Sequence, residues 1–78
     1  MTIIYLRFLK NPDPVEDIVL VTETLQKINP DLSETERTED TITFSSPDHD
    51  VDIFGNIFDE WLHSEPPVII TFRMLADS

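Results

Sequence analysis

The residues Val51, Phe54, Ile57, Phe58, Trp61 and Leu62 recur at three- and four-residue steps, the stripe of an amphipathic helix, and they stand between two runs that read as strands. Before them, Asp40 to Ser45 (DTITFS) alternates, with Ile42 and Phe44 inward. After them, Val68 to Leu75 (VIITFRML) alternates, with Val68, Ile70, Phe72 and Met74 inward. The same succession of periods opens the chain. Thr2 to Leu9 (TIIYLRFL) is a strand by its β-branched and aromatic content, with Ile4, Leu6 and Phe8 on one face and Ile3, Tyr5, Arg7 and Leu9 on the other. Asn11-Pro12-Asp13-Pro14 is a turn that also starts a helix: Asp13 fits the N-cap, Pro14 the first helical position, and Glu16 completes a capping-box spacing. Val15, Ile18, Val21 or Thr22, Leu25 and Ile28 carry that helix to about Asn29, where Pro30 ends it.

Between this helix and DTITFS the pattern thins. Leu32 to Arg37 is the hairpin partner of DTITFS, with the turn near Thr38-Glu39 and Leu32 as its single apolar anchor. Parity puts Glu34 and Glu36 on the face of Leu32, so either a bulge breaks the register or this edge strand extends beyond the helices. The order is therefore β-α-β-β-α-β. It predicts an α+β, ferredoxin-like domain over 1–78: an antiparallel four-stranded sheet with two helices on one face, its first and last strands side by side in the centre. A chain of 78 residues suits one domain, and 40% hydrophobic content suffices for a two-layer core.

Charge is distributed unevenly. From Asp31 to Glu60 there are ten acidic residues and one base, Arg37, which is 1 − 10 = −9 of the formal net charge of −11. General acidity of a salt-adapted protein would spread evenly and favour small apolar residues over the isoleucines seen here. Such a charge disfavours direct nucleic-acid binding and anionic membranes, and it favours a basic partner with fast, salt-sensitive association. The absence of cysteine excludes a disulfide framework. No leader pattern opens the chain and no run approaches the ~20 apolar residues of a membrane span, so a cytoplasmic setting is the expectation.

Searching for chemistry yields little. Asp48-His49-Asp50-Val51-Asp52 has the D-x-D-x-D opening of a calcium loop. Its sixth and twelfth positions, however, hold Ile53 and Asp59 instead of glycine and glutamate. Those acids read as solvated charge at a helix N-terminus, which the helix dipole favours. His49 and His63 lack a zinc spacing, no nucleophile–base set is evident, and the lone glycine, Gly55, precludes a phosphate-cradling loop. We expect no enzyme, no metal and no cofactor.

Two surfaces remain. Carboxylates two apart on one strand face are about 6.6 Å apart, close to the spacing of successive phosphates on a DNA strand. Glu34 and Glu36, continuing through Glu39, Asp40, Asp48, Asp50 and Asp52, could thus imitate a phosphate backbone toward a basic groove. The second surface is the sheet face without helices, where Ile3, Tyr5, Leu9, Ile69, Arg73 and Leu75 would gather as a dimer or docking face. RNA-recognition modules share this plan and stack bases on that face, but Tyr5 alone holds such a place here.

In size, acidity and element order the chain resembles small phage-encoded inhibitors of host defence, of the anti-CRISPR and DNA-mimic type. The acidic run from Glu34 to Asp52 fits that type, whereas the first helix is less acidic than in the densest mimics. The resemblance implies an acidic inhibitor, in the host cytoplasm if phage-encoded, that covers the basic surface of a nucleic-acid-binding complex or of a nuclease, as an immunity protein does. The alternative is a small regulatory or assembly module that homodimerises through its open sheet face.

Overall fold

The computed structural model describes residues 1–9, 14–47 and 51–76, except for the side chains of 51–53 and 76. Its elements are β1 (Thr2–Arg7), α1 (Val15–Ile28), β2 (Ser33–Arg37), β3 (Thr41–Ser46), α2 (Val51–Leu62) and β4 (Thr71–Ala76). The strands form one antiparallel sheet in the order β2-β3-β1-β4, a ferredoxin-like α+β arrangement. β4 does lie beside β1, as expected, but at the edge. The central pair is β1 and β3, because β1 takes β3 on its other side.

Alternation holds in the central strands. Ile4, Leu6 and Phe8 of the first strand segment and Ile42 and Phe44 of β3 are fully buried. Ile18, Val21 and Leu25 of α1 close over them, together with Phe54 and Phe58 of α2. Phe58 is the hub of an aromatic group, its ring centroid 6.0 Å from Phe54, 5.8 Å from Trp61 and 5.4 Å from Phe72. The α1 stripe is narrower than its period suggests, since Val15 and Ile28 at its two ends are exposed. The helix begins at Val15 after Pro14, whose carbonyl accepts from the Ile18 N–H at 2.8 Å. The proposed Asn11-Pro12-Asp13 turn and Asp13 cap lie outside the described residues.

Two local slips reset the parity that simple alternation predicts. In β2 the register moves from Glu34↔Phe44 to Glu36↔Thr43, leaving Thr35 as the extra residue of a bulge. Leu32 is buried on the helix side, the face it shares with Glu34 opposite Phe44, and the bulge turns only Glu36 away from that face, so the parity conflict of this strand is lifted for Glu36. The second slip lies before β4. Thr71 is the register partner of Arg7, yet the Ile70 N–H donates to the Arg7 carbonyl at 2.9 Å, so two successive residues meet one of β1. The alternation expected from Val68 to Leu75 therefore fails at its start. Ile69 is 0% exposed and part of the core, while Ile70, expected inward, is 37% exposed. Phe72 and Met74 keep their inward sense but are only partly buried.

The connection from α1 to β2 is pinned by a polar contact that hydrophobic patterning does not reveal. Asn29 Nδ2 donates to Ser46 Oγ at 3.0 Å with both residues buried, and Asn29 Oδ1 accepts from the Asp31 N–H at 3.0 Å. Asn29 thus ends the helix, turns the chain and ties it to β3. At the other end of the hairpin, Thr38 and Thr41 are joined side chain to side chain, and the Thr38 N–H donates to the Thr41 carbonyl at 3.0 Å.

Candidate functional site: the acidic hairpin and the open sheet face

β2 is an edge strand, exposed at all five residues. The register assigns its side chains to faces, because residues directly opposite one another share a face. Glu34 lies opposite Phe44 and is therefore on the helix side, whereas Glu36 lies opposite Thr43 and is on the open side. The expected same-face carboxylate spacing is overturned: the bulge at Thr35 sends the two acids to opposite faces. Neither charge pattern nor composition could have revealed this, since it depends on how β2 pairs.

Two of the acids are also partly neutralised. Arg37 Nη2 donates to Glu34 Oε1 at 2.6 Å, the bulge making this i,i+3 pair equivalent to same-face neighbours. Arg7 Nε stands 3.6 Å from Asp40 Oδ2. Asp40 sits at the hairpin turn, where its carbonyl accepts from the Phe8 N–H at 2.7 Å. Glu36 and Glu39 remain exposed. Asp48 and Asp50, with His49 between them, lie outside the described residues, as does the side chain of Asp52. The described part of the acidic surface is thus Glu34, Glu36, Glu39 and Asp40, wrapped around the edge and tip of one hairpin. Asp59 and Glu60 point to solvent from α2, well separated in sequence from that hairpin.

The open sheet face is built in rows. Leu75, Ile3, Ser45 and Ser33 are successive partners across β4, β1, β3 and β2. Arg73, Tyr5, Thr43 and Glu36 form the next row, and Thr71, Arg7 and Thr41 the third. Ile69, expected on this face, is absent from it because the slip at Ile70 buries it in the core. Ile3, Leu9 and Leu75 are exposed, and Tyr5 is half-buried. What remains is an apolar corner at Ile3 and Leu75 grading into hydroxyl side chains and ending in a carboxylate. β3 contributes no aromatic ring to the face, only Thr41, Thr43 and Ser45.

Among the described residues there is no concave pocket, no group of three or more potential metal ligands, and no helix long and apolar enough to cross a membrane. No family model, curated protein or solved structure matches the chain.

Proposed function

We propose that this protein is an acidic inhibitor that occupies the basic nucleic-acid-binding surface of a partner, a nucleic-acid-binding complex or a nuclease, and blocks it sterically and electrostatically. The observation that carries the reading is the hairpin edge. β2 is exposed over its whole length, carries Glu34 and Glu36, and leads into Glu39 and Asp40 at the tip, within the segment holding −9 of the −11 net charge. An exposed edge bearing charge on both faces fits into a basic groove more naturally than it lies along a flat surface. The mimicry is therefore of charge density, since the bulge removes a phosphate-like repeat. Such an inhibitor requires no catalytic group, metal or cofactor, and it would act in the cytoplasm, that of the host if the chain is phage-encoded.

The test is competition. Immobilised protein should retain basic nucleic-acid-binding proteins that duplex DNA or RNA then displaces, and retention should weaken as salt screens the exposed charges. Glu36→Lys with Glu39→Lys should abolish retention and leave the fold intact. Retention that neither nucleic acid nor charge reversal disturbs would refute the proposal.

A further inference from the structure

The two edges of the sheet are unlike. β2 is fully exposed but bulged and acidic, two of the devices by which edge strands avoid pairing. β4 (TFRMLA) holds unbroken register with β1 over all six residues and contains neither proline, lysine nor an acid. Its backbone polarity follows from alternation. The Phe8 N–H bonds toward β3, so Leu6 and Ile4 do too, and Arg7, Tyr5 and Ile3 bond toward β4. Thr71, Arg73 and Leu75 therefore face β1, while the N–H and C=O groups of Phe72 and Met74 point outward, without a partner among the described residues. The core is incompletely closed on this same side. Among the described residues, every apolar side chain packed against it but only partly buried (Ile57, Trp61, Leu62, Val68, Phe72 and Met74) belongs to α2, β4 or the link between them.

We propose that the β4 edge binds a second copy of this chain, β4 pairing antiparallel with the partner's β4 to make one eight-stranded sheet. Within the described strand, three two-fold registers use the outward groups of both Phe72 and Met74. Centring on Arg73 sets two arginines directly opposite, which is unfavourable. Centring on Phe72 runs the partner into the slip at Ile70. Centring on Met74 lets Met74 exchange both hydrogen bonds with the partner's Met74, and Phe72 with the partner's Ala76, while Arg73 lies opposite the partner's Leu75. The contact is isologous, each copy covering the other's half-buried cluster beside α2, which a foreign strand would do for one side only. Charge points the same way. The acidic β2 edges end up about 33 Å apart, seven strand spacings, beyond the range of unscreened repulsion at physiological salt. Both hairpins stay free, so the dimer would present the acidic edge twice.

The experiment is a sedimentation-velocity concentration series on the full chain, with circular dichroism as the control for folding. Wild type should pass from monomer to dimer. Leu75, 57% exposed, can be altered without touching the core. Leu75→Arg, opposed to the partner's Arg73, should weaken the dimer about tenfold, and Leu75→Glu should tighten it by a similar factor, each pair occurring twice. Met74→Pro removes an outward N–H together with a half-buried side chain packed on the core, and should abolish the dimer with the β1–β4 hydrogen bonds retained; if that variant unfolds, the opposed Leu75 shifts decide. A monomer at every concentration overturns the proposal. So does a dimer whose affinity fails to move in opposite directions with the two Leu75 variants, or one lost to Tyr5→Asp alone, which would indicate pairing through the open face.

Discussion

Replacing Ile69 and Ile70 separately by alanine tests the slip before β4 most directly. Alternation through VIITFRML makes Ile70 the core residue and Ile69 the surface one; the structure reverses them. Ile69 is 0% exposed within the core, so Ile69→Ala removes the transfer energy of its lost methyl and methylene groups and leaves a cavity, a cost of about 2–5 kcal/mol. Ile70 is 37% exposed and its backbone N–H already bonds to Arg7, so Ile70→Ala should cost under about 1 kcal/mol. At about 0.05–0.15 kcal/mol per residue, 78 residues have a total stability of about 4–12 kcal/mol. The first substitution therefore removes a large fraction of it and the second little. Urea unfolding followed by Trp61 fluorescence reads both, with equal slopes and well-separated midpoints expected. In thermal melts Ile69→Ala should lower Tm by about 10 °C or more, since each kcal/mol is worth about 4–8 °C at this size. If Ile70→Ala proves the costlier of the two, the strand alternates regularly through Ile69 and the slip is wrong.

Other outcomes follow from single contacts. Asn29→Ala takes a buried partner from Ser46 and from the Asp31 N–H and should cost about 1–3 kcal/mol; a double-mutant cycle with Ser46→Ala should show coupling, which additivity would exclude. Arg37→Ala breaks an exposed ion pair with Glu34 and should change stability by no more than about 1 kcal/mol in urea melts, although it leaves the hairpin more negative and should strengthen salt-sensitive partner capture. Glu36→Lys and Glu39→Lys occupy exposed positions and should leave the unfolding free energy within about 0.5 kcal/mol of wild type while abolishing that capture. A large loss of stability would show that these carboxylates serve the fold.

Much of the architecture was legible in the sequence because its evidence is local and periodic. Period two in TIIYLRFL and DTITFS specifies which apolar residues are buried in the central strands. The three- and four-residue steps from Phe54 to Leu62 specify the inward face of the second helix, where Phe54 and Phe58 are buried and Ile57, Trp61 and Leu62 half-buried, and the chain order of those segments specifies the plan. The concentration of carboxylates between Asp31 and Glu60, and hence the acidic character of any interface there, is equally a property of the sequence. Tertiary structure decided which face each residue at the sheet edges presents. A single extra residue reverses every side chain beyond it, and nothing in local propensity marks where that residue falls. The bulge at Thr35 sends Glu34 and Glu36 to opposite faces, and the slip at Ile70 moves Ile69 from the open face into the core. Pairing also set β4 at the edge and left the outward groups of Phe72 and Met74 unpaired among the described residues, because the hydrogen bonds of a strand are answered only by its neighbours in space.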